Sequence, residues 1–167
     1  IIKGNIDLLL TANNQHIKDI ITNLPNKIQK NFSSFITNGN IDFTSSLNGI
    51  INNPLFEMKY KINDAHFKLK NIPSKLSNIS MNGDLSNGNK RNMSSTQINV
   101  KKLKAKSNNG YLNGSFQLSN LNNYYLTTQL SSLWDLNEVN SYFKDSPFIN
   151  LKGELKANTF YQGGVSF

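Results

Sequence analysis

The sequence predicts a mainly β protein: a curled antiparallel meander sheet, an open β-groove of about ten strands, with two short amphipathic helices. Three observations predict it. Apolar and polar residues alternate at period two along most of the 167 residues. Asn-Gly, which tolerates the positive φ of tight hairpin turns, occurs at 38–39, 48–49, 82–83, 87–88, 109–110 and 113–114. Only two stretches change to helical spacing.

The chain opens on "IIKGNIDLLL", a strand pattern beginning at Ile1, and reads as a piece of a longer protein. "HIKDIITNLPNKIQKNFSSFI" follows. Ile17, Ile20, Ile21 and Leu24 share a helical face, Pro25 interrupts, and Ile28, Phe32, Phe35 and Ile36 resume the spacing. An amphipathic helix, a kink at Leu24–Pro25 and a second helical piece are expected. Strand patterns then dominate. "GNIDFTSSLNG" places Ile41, Phe43 and Leu47 on one face, and "LFEMKYKI" does the same with Phe56, Met58, Tyr60 and Ile62. Asn63–Asp64 reads as a turn, after which Ala65, Phe67 and Leu69 alternate with His66, Lys68 and Lys70.

Further along, Ile79, Met81 and Leu85 form the next apolar row. In "INVKKLKAK", Ile98 and Val100 are followed by a one-residue shift at the paired lysines before Leu103 and Ala105. A slip of one residue turns a strand over, so a bulge or tight turn is expected there. Leu112, Phe116 and Leu118 make another row, Leu126 and Leu130 the next, and "INLKGELKA" offers Ile149, Leu151, Leu155 and Ala157. Gly83 and Gly114 fall inside strand patterns and are expected to mark bulges rather than turns. The second helix is "LWDLNEVNSYF", with Leu136, Val139 and Phe143 on one face and Asp135 with Glu138 as its capping box.

The order strand, short helix, glycine-bounded strand occurs twice. "IKDIITNL" matches "LNEVNSYF", and "GNIDFTSSLNG" matches "GELKANTFYQG". The chain therefore reads as one segment, 1–167, of a repeating β-groove, with units at about 5–122 and 123–167, the second truncated.

Ten strands at ~4.8 Å spacing present an apolar face on the order of 1,000 Å², and two or three short helices cover about half of it. Soluble proteins seldom leave so large a patch open to water. The sheet must fold over as a sandwich, close as a barrel, or form a trough that meets something apolar. A continuing repeat argues against closure, and short hairpin loops argue against the crossings of a sandwich. A trough for acyl chains is the preferred reading. Its candidate lipid-facing residues are those named above: Ile41, Phe43, Leu47, Phe56, Met58, Tyr60, Ile62, Phe67, Leu69, Ile79, Met81, Leu85, Ile98, Val100, Leu112, Phe116, Leu118, Leu126, Leu130, Leu151 and Leu155.

These same stretches, from "LP…F…GNIDFTSSLNG" through "YLTTQLSSLWDLNEVNSYF…LKGELKANTFYQGG", resemble the AsmA-like β-groove proteins of Gram-negative bacteria, in the Bacteroidota-like version. The resemblance implies a periplasmic protein tethered to the inner membrane through a segment absent here. It also implies carriage of phospholipid or another acyl lipid toward the outer membrane, in outer-membrane biogenesis or lipid homeostasis. It brings no catalytic residues.

Composition excludes several other chemistries. Cysteine is absent, so disulfides, thiolate metal sites and thiol catalysis are too. The formal charge is +8, yet Arg91 is the single arginine among the basic residues, which argues against a nucleic-acid partner. With 29 asparagines and abundant lysine and isoleucine, the charge is better read as solvated lysines in an A/T-biased composition. His16 and His66 have no metal or triad spacing, and "GDLSNGN" is a hairpin rather than a phosphate loop. Trp134 beside a helix start reads as a core anchor rather than a stacking platform. Neither an enzyme, a metal site nor a cofactor is expected. The competing reading is a structural or adhesive cell-surface β-repeat with a dry sandwich core and no ligand.

Overall fold

The computed structural model describes residues 4–23, 35–69, 75–140 and 151–166. Eight strands follow one another in space as they do in sequence: β1 (Asn5–His16), β2 (Phe35–Ile50), β3 (Leu55–Leu69), β4 (Leu76–Ser86), β5 (Gln97–Lys106), β6 (Tyr111–Ser119), β7 (Tyr125–Asp135) and β8 (Glu154–Gly164). Every neighbouring pair is antiparallel. Helix α1 (Ile17–Thr22) follows β1, α2 (Leu136–Val139) follows β7, and a 3₁₀ turn (Met93–Ser95) precedes β5.

The mainly β antiparallel meander is as the sequence predicts, but two details differ. Eight strands stand where about ten were expected, because Asn63–Asp64 is not a turn. Asp64 adopts a left-handed conformation (φ 50°) and the strand runs on to Leu69, its register on β4 shifting between Ile62 and Ala65. Asn and Asp tolerate this region of φ, so the same residues serve a bulge as readily as a turn. The sheet is also open and uncurled. Closure or a sandwich would need contacts between distant strands, whereas packing among the described residues runs between consecutive strands, with α1 on β1 and β2 and α2 on β7.

Related bulges line the margin from which the helices spring. Asn14 (φ 54°) in β1 and Asn78 (φ 50°) in β4 match Asp64, and Gly39 (φ 123°) serves β2. The Asn14 N–H donates to Asp42 Oδ1 at 2.7 Å, and Asn40 Nδ2 donates to Asn14 Oδ1 at 2.8 Å, so polar side chains satisfy groups that the bulge frees from the ladder. The paired lysines form the expected bulge: Val100 faces Phe116 and Leu103 faces Gly114. Gly83 and Gly114 lie opposite that bulge on either side rather than being bulged themselves.

Both helix starts are as read. Asp135 caps α2 by accepting the Asn137 N–H at 2.9 Å. Glu138 Oε1 accepts the Asn109 N–H at 2.8 Å, tying α2 to the loop before β6. The Leu24–Pro25 kink, most of the second helical piece, and Phe143 lie outside the described residues, while Phe35 and Ile36, expected in that piece, begin β2 instead.

At the opposite margin, side chains tie successive loops together. Asn87 accepts the Phe56 N–H at 2.9 Å and donates to the Pro54 carbonyl at 3.0 Å, and Arg91 donates to the Asn53 carbonyl at 2.8 Å. The lone arginine is thus a loop clamp.

Candidate functional site: the apolar face

Strand register builds one face row by row. Leu10, Ser45, Met58, Leu85, Ile98, Leu118, Leu126 and Gly163 stand opposite one another across all eight strands. The next row is Ala12, Phe43, Tyr60, Gly83, Val100, Phe116, Thr128 and Tyr161. The third runs Gln15, Ile41, Ile62, Met81, Leu103, Gly114, Leu130 and Thr159. Cross-strand partners share a face, so these rows form a continuous apolar surface about 35–40 Å wide.

Of the residues nominated from sequence, register brings the strand members together on this surface: Leu47 and Phe56 pair beyond the first row, Ala65 and Ile79 beyond the third, and Phe67 faces Leu76. Leu112 pairs Ala105, and Leu155 pairs Trp134. Leu69 closes β3 on the backbone, opposite Phe35. Leu151 stands before β8 rather than in it. Gly153 takes a positive φ (100°), β8 starts only at Glu154, and Leu151 is held in the preceding loop by Asn140, which accepts its N–H at 3.0 Å and donates to its carbonyl at 2.8 Å. Leu8, Leu10 and Tyr161 were not nominated and complete the surface on the edge strands. In β1 the run Leu8–Leu9–Leu10 hides the alternation; in β8 the signal was present, since Tyr161 follows Leu155 at even spacing.

The two described helices cover little of this face. The buried cluster of Ala65, Ile79 and Ala105 sits at the helical margin, with Ile17 of α1 and Phe67, Leu76 and Leu103 packed against it. Elsewhere the large side chains shield one another sideways: Phe43, Met58, Leu85, Ile98, Phe116, Leu118 and Leu126 are all half-buried. No large side chain among the described residues is fully buried. The accessible surface is 11487 Å², where about 8,300 Å² is expected of a compact 18.8 kDa monomer.

Two glycines shape the middle of the face. A Cβ at Gly83 would collide with the Asn99 carbonyl oxygen and the Tyr60 hydroxyl. Tyr60 lies over this notch and donates to the Asn99 carbonyl at 3.0 Å. Burial, and next the charge of Asp84, raise the Tyr60 phenol above its ordinary value. Leu130 approaches Gly114 in the same manner.

The other face is hydrophilic. Lys59, Lys61, Lys101, Lys102 and Lys104 stand among Asn, Ser, Thr and Gln, and Lys101 pairs with Asp84, which also accepts from Asn99. Those two donors, Lys101 first, hold the Asp84 carboxyl below the usual carboxylate range. Shallow hollows of 330 to 460 Å³ open on this side, where short polar side chains leave gaps between lysines. His66 turns back to its own strand, with Nδ1 3.1 Å from the Asp64 carbonyl, and His16 closes β1. Trp134 is half-buried at the face's margin. Asp135 is held below the carboxylate range by the Asn137 N–H, in keeping with a helix cap.

No family model, curated protein or solved structure matches the chain. The described residues define it by architecture: a single-layered antiparallel sheet with one apolar and one lysine-studded polar face.

Proposed function

We propose that this chain is a lipid-binding section of an AsmA-like envelope protein, its apolar face holding acyl chains. The observation that supports the reading is the face itself: apolar rows span eight strands, and among the described residues neither a second layer nor a central helix lies over them. Exposed contiguous apolar surface of this extent marks a site meant for an apolar partner. Because the sheet is flat rather than trough-shaped, acyl chains would lie along an open platform. The partner is phospholipid or another acyl lipid, and the setting is the periplasm between inner and outer membranes. The competing adhesive repeat with a dry core requires a second layer over the same side chains.

The test combines lipid extraction of the purified chain with a photoreactive acyl probe. Crosslinks are expected at positions 43, 58 and 116, and not at 44, 59 and 117 on the opposite face. Recovery free of lipid, with equal labelling of both faces, rejects the reading.

A further inference from the structure

The bulge in β5 does more than shift the register. In a regular strand Lys101 and Lys102 would point to opposite faces. The bulge turns both to the polar face, Lys101 onto Asp84 and Lys102 beside Asn82, and Lys104 follows at even spacing. Bulges next to functional sites re-aim side chains in this way.

The lysines so gathered surround one hollow. Lys102 stands opposite Asn82 in β4, Asn82 stands opposite Lys61 in β3, and Lys104 stands opposite Ser80. Two interstrand steps of ~4.8 Å set Lys61 and Lys102 about 10 Å apart at the backbone. With Asn63, these five residues line a shallow hollow of about 370 Å³, with the short side chains of β4 as its floor. All three lysines are exposed, and like charges gathered on one sheet face are destabilising. Among the described residues none of the three is ion-paired: Asp84 is taken by Lys101, Asp42 opposite Lys61 accepts from the Asn14 N–H, and Asp64 makes no ion pair. The residues outside the described set hold one carboxylate, Asp145, against Lys3, Lys27, Lys30, Lys70 and Lys144, so they cannot balance three ammonium groups. Strands β3, β4 and β5 are each paired on both sides, so the hollow is walled by interior strands alone.

We infer that this hollow is a binding site for a phosphate monoester. At neutral pH such a group carries close to two negative charges and three strong acceptor oxygens, which suits Lys61, Lys102 and Lys104. A carboxylate or a phosphodiester brings one charge and leaves the lysines in excess. Ser80 and Asn82 add hydroxyl and amide donors from below. Lysine serves here as a compact point charge, for which arginine's planar fork is not required. A lipid headgroup and a soluble phosphorylated compound share this chemistry. The site stands whether or not the apolar face holds acyl chains.

The probes are phenyl phosphate, dimethyl phosphate, and phosphatidylcholine vesicles carrying phosphatidic acid, each added to the whole chain. Saturable binding of phenyl phosphate is expected, about tenfold tighter than that of dimethyl phosphate. Lys102→Gln and Lys104→Gln should each weaken it about fivefold without lowering the urea midpoint. Lys90→Gln, in the loop between β4 and β5, should leave it unchanged. Vesicle retention that phenyl phosphate releases assigns the site to a lipid headgroup; phenyl phosphate binding without vesicle retention assigns it to a soluble ligand. The inference is overturned by absence of saturable binding, by equal affinity for the two phosphates, or by indifference to Lys102→Gln and Lys104→Gln.

Discussion

The helical margin and the middle of the apolar face are made of similar residues and do different work. At the margin Ile79, Ala65 and Ala105 are enclosed by Ile17, Phe67, Leu76 and Leu103. In the middle, Met58, Leu85, Ile98 and Leu118 touch their lateral neighbours and stay half-buried. Val100, 3% exposed, is the one residue of those rows that reaches the burial of the margin cluster among the described large apolar side chains; its neighbours do not. The margin is enclosed by its own neighbours, and the middle has no covering element among the described residues.

The sharpest way to break this contrast is a charge at each place. Ile79→Asp should cost more than 4 kcal/mol and abolish the cooperative urea transition, because a buried carboxylate has no partner there. Leu126→Asp should cost less than half as much and instead abolish acyl-probe labelling; equal losses would mean the middle is core after all. Next, Gly83→Val drives a side chain into the Asn99 carbonyl and should cost about 2–3 kcal/mol, whereas Gly4→Ala, with nothing near it, should be neutral by the same measurement. Tyr60→Phe removes the bond to the Asn99 carbonyl and should cost about 1 kcal/mol in urea unfolding.

The smallest effect belongs to the polar face. Asp84 binds its proton less readily when folded, so its contribution is whole above about pH 4 and is lost as pH falls through the lower folded value. Asp84→Asn should cost about 0.5 kcal/mol at pH 7 and progressively less as pH falls below 4, shown by converging urea midpoints.

Much of this was legible in the sequence because a half-covered sheet writes its faces at period two. The lysine bulge was readable for the same reason: Val100 and Leu103 could share a face only if one residue was absorbed between them. Asn63–Asp64 misled because a turn and a bulge ask the same φ of the chain, and only the pairing of Ala65 with Ile79, fourteen residues on, decides between them. The lack of curl was not legible either, since alternation records which side chains share a face and not how the strands coil. Gly153 is legible as the start of the glycine-bounded strand "GELKANTFYQG", and its positive φ stands directly before β8.

Because each strand packs chiefly on the one made just before it, contacts in this protein are mostly local in the chain. Such a molecule can assemble in order of synthesis, each new hairpin adding to a finished edge, as stacked repeats do. Truncation at a hairpin should then shorten the sheet instead of unravelling it, leaving a new free edge one strand earlier.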